Sequence, residues 1–91
     1  MPEIFPLLPG WITTYVDPSL RSETWALKED LLQLHHPGLD RVADLGWYHD
    51  HFTVVVLQPD FQGTLLGERE ANDQKGALVA LQDLLETFGR E

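Results

Sequence analysis

Residues 51–88 constrain the fold of this chain more than any other part of the sequence. They begin with a run, residues 52–57, that is rich in β-branched side chains and has apolar residues at consecutive positions. Such a run is typical of a strand with both faces covered. Turn-forming residues at 58–63 separate it from a second extended run at residues 64–70. The pattern predicts a β-hairpin.

The spacing of the apolar residues changes after Asn72 to the period of a helix. Asn72 is a suitable N-cap, and Gly89 is a suitable residue for the helix end. Val79 lies on the polar side of this helix. One broad face is apolar, and it contains Ala77, Leu78, Leu81, Leu84, Leu85 and Phe88. The sequence therefore predicts an amphipathic helix over residues 72–88.

The first half of the chain predicts a strand, a helix and a second strand. Residues 11–16 alternate aromatic and β-branched side chains with threonine. Asp17 and Pro18 are typical of a helix start, and the Pro-Gly pair at residues 37–38 is typical of a stop, which predicts a helix ending near residue 36. Residues 40–47 predict another strand.

Together these elements predict an α+β fold in one domain, residues 1–91. We expect an antiparallel sheet of three or four strands with two helices, in the order β-αβββα. Residues 1–10 contain three prolines and a glycine and predict an extended lead-in. Four of the lead-in residues are large and apolar, so we expect this segment to lie against the rest of the domain.

Several residues between positions 20 and 88 agree with a known family. The sequence GWYH at residues 46–49 is followed by FTVVV at residues 52–56, and Gly63 and Gly67 lie close to the next predicted strand. With the predicted order of helix, three strands and helix, these residues resemble the double-stranded-RNA-binding domain. The resemblance implies a sheet with two helices and a nucleic-acid-binding function.

The residues that bind RNA in that family are missing from this chain. The family contacts phosphates through lysines at the start of its second helix. The matching residues 68–76 read EREANDQKG, which places the lysine positions on Asn72, Asp73 and Gly76. An aspartate beside a phosphate is repulsive. Nucleic-acid binding is therefore an alternative only, and we expect no binding of double-stranded RNA.

Charge and composition narrow the function further. The chain has 15 acidic and 6 basic residues and a net charge of −9, which repels nucleic acids and anionic lipids. The same acidity permits an inhibitor or mimic that occupies a basic partner. The chain has no cysteine, so disulfides and thiolate zinc sites are excluded. With no signal-peptide pattern and no apolar run of membrane-spanning length, we expect a cytoplasmic protein without membrane contact.

The histidines are the candidates for metal ligands. His49 and His51 flank Asp50 at a predicted strand end, and imidazole nitrogens suit zinc, nickel or copper. The sequence indicates no third ligand, and the alternative is a solvated or locally hydrogen-bonded pair. No nucleophile with a neighbouring base and no phosphate-binding glycine loop is visible. We therefore expect no enzyme, no catalytic residue and no cofactor.

Apolar residues beyond the predicted core indicate an interaction surface. Trp25 and Leu32 form a second stripe on the helix predicted over residues 17–36, which is either part of a wide core or a partner surface. Val55 and Leu57 place apolar groups on the second face of the sheet, which one layer of helices leaves uncovered. We expect a protein-interaction or assembly module that binds a protein partner or a second copy of itself, as a homodimer.

Overall fold

The computed structural model describes residues 10–59 and 63–89, in which five strands form one antiparallel sheet. Each strand pairs with the next one along the chain, so the sheet is a simple meander in the order β1-β2-β3-β4-β5. The predicted lead-in, apart from Gly10, lies outside the described residues. The strands are β1 (Ile12–Val16), β2 (Leu32–His36), β3 (Arg41–Tyr48), β4 (His51–Gln58) and β5 (Thr64–Ala71), and one helix, α1 (Gln74–Phe88), follows them.

The predicted helix over residues 17–36 is wrong. The segment contains a short 3-10 turn (Pro18–Arg21), an irregular stretch and strand β2. The two-helix order β-αβββα is therefore wrong as well, and the likeness to the double-stranded-RNA-binding domain loses the first of its two helices. The fold is instead a β-rich α+β fold with five strands and a single C-terminal helix.

Two physical reasons explain the missing helix. In β2 the buried side chains of Leu32 and Leu34 alternate with the exposed Gln33, which is the period of a strand. Upstream, side chains bond the backbone in place of helical hydrogen bonds: the Ser19 hydroxyl accepts from the Ala26 amide at 2.9 Å. Such local side-chain bonds compete with a helix.

The predicted hairpin and the predicted C-terminal helix are confirmed, although the helix begins at Gln74 rather than at residue 72. Strands β4 and β5 form the expected hairpin, with a register shift between Val56 and Leu57. Helix α1 packs against β3, β4 and β5. Its phase agrees with the sequence pattern, because Leu81 is 2% exposed whereas Val79 is 55% exposed. Within residues 10–59 and 63–89, no helix combines the length and apolar character needed to cross a lipid bilayer.

The core lies between α1 and the face of the sheet that we call the helix face. Asp73, rather than Asn72, caps α1, and its carboxylate accepts a hydrogen bond from the Gly76 amide at 2.7 Å. Near the other end of α1, the Trp11 indole donates to the Leu85 carbonyl at 3.0 Å. The buried side chains of this core include Leu34, Ala43, Leu45, Val54 and Val56 on the helix face and Ala77, Leu81, Leu84 and Leu85 on α1.

The opposite side of the sheet, which we call the open face, has no helix over it in the part of the chain that the structure describes. Strand alternation directs Asp44, Val55 and their neighbours to this side. Residue 29 passes over one corner of it, where the Tyr48 hydroxyl donates to the Glu29 carbonyl at 3.0 Å. Gly46 permits this approach, because a Cβ at that position would collide with the same carbonyl.

Candidate functional site

The pairing register arranges the side chains of the open face in rows that cross the sheet. We call two of these rows, each with one residue from every strand, the acidic row and the apolar row. They lie two residues apart along β2, β3 and β4, a separation of about 7 Å. Along β1 and β5 they lie three residues apart, because the register shifts in the pairing of each of these strands. From β1 to β5, the acidic row contains Tyr15, Gln33, Asp44, Val55 and Glu68, and the apolar row contains Ile12, His35, Val42, Leu57 and Leu65.

The apolar row exposes large side chains at both edges of the sheet. Ile12 and Leu65 are 54% and 53% exposed, and Val42 and Leu57 between them are half-buried. On the helix face, by contrast, the side chains of the central strands are almost completely buried. The open face therefore keeps apolar area in contact with water that the helix face does not.

Two cavities flank Asp44 on this face. One, of about 460 Å³, is lined by residues that include Tyr15, Asp30 and Asp44. The other, of about 440 Å³, is lined by residues that include Asp44, Tyr48, His51, Val55, Glu68 and Glu70. Among the described residues that line the two cavities there is no lysine and no arginine. Four carboxylates thus face the two cavities, and the described residues that line the cavities with them add no Lys or Arg.

Asp44 is the central carboxylate of the open face. Burial raises its pKa to about 6, and the negative charge of Asp30 adds to the increase. Burial also raises the pKa of Tyr48, with Asp44, Asp30 and Glu29 adding to it. Within residues 10–59 and 63–89, no hydrogen bond or ion pair joins the Asp44 side chain to another residue. The site therefore holds a partly desolvated carboxylate without a cationic partner.

Two basic side chains, Lys28 and Arg41, have partners outside the two cavities. Lys28 forms an ion pair with Asp17 at 3.0 Å. Hydrogen bonds from Ser19 and Lys28 lower the pKa of Asp17 to about 2, and the same contact with Asp17 raises the pKa of Lys28. Arg41 donates to the Phe88 carbonyl at 2.8 Å, beside the helix. The acidic character of the open face is therefore not neutralised by these two cations.

The two histidines predicted as metal ligands line the second cavity but differ in conformation. His49 lies in the turn between β3 and β4 with a φ of 50°, so it does not continue the alternation of the strand. His51 begins β4 and contacts the Glu70 carboxylate. Among the described residues, no three His, Asp or Glu side chains are grouped so that they could hold a metal ion. The structure thus brings the pair to one cavity without a third ligand in that part of the chain.

The four predicted interaction residues divide between the two faces. Trp25 and Leu32 are 4% and 1% exposed and belong to the core, where Trp25 packs edge-on against Phe52. The helical stripe that they were expected to form does not exist, because neither residue is helical. Val55 and Leu57 lie half-buried on the open face, as the alternation of β4 predicts.

Sequence reasoning missed Asp44 and the rows around it. The helix predicted over residues 17–36 left strand β2 out of the predicted sheet. The prediction therefore did not place Gln33 and Tyr15 beside Asp44. The signal was present in the alternation of apolar and polar residues along residues 32–35, Leu-Gln-Leu-His.

Comparison of the chain with models of known protein families finds no match, and comparisons with curated proteins and with solved structures find none either. The function is therefore inferred from the geometry and the charge of the open face.

Proposed function

We propose that this protein is a non-enzymatic protein-interaction module that binds its partner across the open face of the sheet. The observation that carries the proposal is the apolar row, whose ends Ile12 and Leu65 are more than half exposed. An exposed apolar surface with a polar border is typical of an interaction site. In the apolar row Val42, Leu57 and Leu65 are neighbours, and His35 separates them from Ile12. The acidic row beside it supplies that border.

The face, rather than an edge of the sheet, is the better candidate for partner binding. Edge β1 is short and irregular between Thr13 and Tyr15. Edge β5 carries charged residues at 68–70 and a register shift opposite Val56 and Leu57. Short, bulged or charged edges are the usual means by which proteins prevent a further strand from pairing.

The other functional classes have less support. The nucleic-acid alternative depended on a first helix that the structure replaces with an irregular segment and a strand. The open face contributes carboxylates where a phosphate backbone needs cations. No arrangement among the described residues favours an enzyme. We propose the cytoplasm as the location of the module, as expected from the sequence.

The test compares partner capture by three forms of the protein. The first is the wild type, the second carries Ile12→Ser and Leu65→Ser, and the third carries Val79→Ser on the outer side of α1. Val79 is a matched control, because it is 55% exposed, close to the values of Ile12 and Leu65. Each form is immobilised and incubated with nuclease-treated lysate of the native host, and bound proteins are quantified by mass spectrometry.

We expect one or more proteins to bind the wild type and the Val79→Ser form equally and to be lost from the double variant. Circular dichroism and urea melts confirm that all three forms are folded. Equal capture by all three forms contradicts the proposal. Capture that occurs in untreated lysate but is absent after nuclease treatment contradicts it as well.

A further inference from the structure

We infer that the partner of the open face is an extended protein segment that places arginine side chains beside Asp44 and apolar side chains over the apolar row. This inference rests on the proposed function and adds the chemistry of the partner. Three observations carry it: the charge of the cavities, their aromatic borders and the spacing of the two rows.

The charge of the open face selects a cationic partner. Asp30, Asp44, Glu68 and Glu70 line the two cavities, and no lysine or arginine lies among the described lining residues. A positive group that enters either cavity gains attraction from Asp44, which borders both. Because Asp44 is partly desolvated, that attraction is screened less than between exposed charges.

The borders of the cavities favour arginine over lysine. Tyr15 lies at the first cavity and Tyr48 at the second, so each cavity combines Asp44 with one phenol ring and at least one other carboxylate. A guanidinium group donates two parallel hydrogen bonds to a carboxylate and also stacks on aromatic rings. An ammonium group is a strongly hydrated point charge and exploits this arrangement less well.

The spacing of the rows defines the pattern of the partner segment. Along the three inner strands, β2, β3 and β4, the acidic and apolar rows lie two residues apart, about 7 Å. In an extended segment, residues i and i+2 point to the same side with the same separation. A segment that runs along the strands therefore meets both rows when an apolar residue and an arginine are two positions apart.

A second copy of this chain does not fit the open face. In a twofold pair of open faces, the described cavity-lining residues of either copy would offer carboxylates, and no lysine or arginine, to the carboxylates of the other. Like charges brought together in this way are repulsive. The charge thus favours a basic partner over the homodimer expected from the sequence.

The experiment titrates the full-length protein with synthetic peptides and follows backbone amide signals by NMR. The first peptide, GVSRSVSRG, places valine and arginine two positions apart. The second, GVRSSVRSG, has the same composition with the two residues adjacent. The third replaces both arginines of the first with citrulline, which keeps the shape but has no charge, and the fourth replaces them with lysine.

We expect the first peptide to shift amide signals of β3 and β4. The lysine peptide should bind more weakly than the first, the peptide with adjacent valine and arginine more weakly again, and the citrulline peptide most weakly. Asp44→Asn should weaken binding of the first peptide about tenfold, the loss expected for one charge-assisted hydrogen bond. Asp83→Asn removes a charge from the exposed side of α1 and should leave the affinity unchanged. Absence of shifts, or equal affinity for the arginine and citrulline peptides, overturns the inference.

Partner capture from lysate then separates this inference from the proposed function. If Asp44→Asn captures the same proteins as the wild type while the Ile12→Ser and Leu65→Ser form loses them, the basic partner is wrong and the interaction surface stands. If neither variant affects capture, both are wrong. A wild-type dimer in light scattering that Ile12→Ser and Leu65→Ser disrupts identifies a second copy as the occupant and overturns the inference.

Discussion

The helix face and the open face are formed by the same strands, and neighbouring residues of β4 show how differently the two sides are built. Val54 points to α1 and is 1% exposed, whereas Val55 points away from it and is only half-buried. The helix face consists of apolar side chains in mutual contact. The open face sets carboxylates beside apolar groups, and no helix among residues 10–59 and 63–89 covers them. Stability is therefore concentrated on the helix face, and the binding that we propose uses the other side of the sheet.

The largest expected loss of stability follows from a substitution at the centre of the core between α1 and the helix face. Leu81→Ala should lower the free energy of unfolding by about 2–4 kcal/mol, because it removes a fully buried side chain and leaves a cavity. Val79→Ala, two residues away on the exposed side of α1, should change it by less than about 0.5 kcal/mol. Urea melts measure both. Equal losses would show that α1 is not packed in the phase described.

The next prediction compares the two faces within one strand. Val54→Ala should cost about 2 kcal/mol, from lost burial of two methyl groups and the cavity left behind. Val55→Ala should cost less than about 1 kcal/mol, because that side chain is only half-buried in the isolated chain. The same urea melts compare the two variants directly. A loss for Val55→Ala as large as for Val54→Ala would show that the open face is covered in solution.

The contrast between the faces also explains which parts of the fold the sequence predicts. The hairpin and α1 are local structures with strong periodicity, and residues such as Leu81 and Val79 reveal the helix phase without knowledge of the partner strands. Strand β2 is different, because its five residues acquire their role only by pairing with β1 and β3. A helix start at Asp17 and Pro18 is a real local signal, but it produces only one short turn.

The candidate site was predicted in part for the same reason. Val55 and Leu57 were identified, because alternation along one strand shows that both faces of β4 are apolar. Asp44 was missed, because its importance depends on Gln33 and Tyr15 from strands distant in the sequence. Rows across a sheet follow from the pairing register, and a single sequence gives that register only after every strand has been recognised.

On the open face we expect a substitution that increases stability, by less than the losses predicted for the helix face. The pKa of Asp44 is about 6 in the folded protein against 3.8 as the reference value, so the folded state binds more protons between these pH values. The free energy of unfolding should therefore fall as the pH rises from about 4 to 6, and the cost of the charge is fully present above pH 7. Asp44→Asn removes that cost and should stabilise the protein at pH 8 by about 1–2 kcal/mol, after allowance for solvent screening.

The gain from Asp44→Asn should decrease toward zero as the pH falls below 4, since Asp44 is then neutral in the folded and unfolded states. Urea melts at pH 8, 6 and 4 measure it. Asp83→Asn reports the effect of reducing the net charge alone. A gain that is the same at all three pH values, or matched by Asp83→Asn, would contradict the assignment of the cost to Asp44.

The smallest expected effect concerns the corner where the irregular segment crosses the open face. Tyr48→Phe removes the hydroxyl that donates to the Glu29 carbonyl at 3.0 Å and should lower the free energy of unfolding by about 0.5–1 kcal/mol, the usual net value of one hydrogen bond. Tyr15→Phe is the control, because its hydroxyl lies 3.4 Å from the Asp17 carboxylate, a long contact that should contribute less.

Urea melts compare the two variants, and hydrogen exchange of the Trp47 amide, which donates to the Lys28 carbonyl at 2.7 Å, reports local opening. If Tyr48→Phe speeds exchange of the Trp47 amide but leaves the free energy of unfolding nearly unchanged, Tyr48 holds residues 28–30 against β3. It then also fixes the position of Asp30 beside Asp44. If Tyr48→Phe affects neither quantity, this corner of the open face is fixed by Gly46 and the backbone alone.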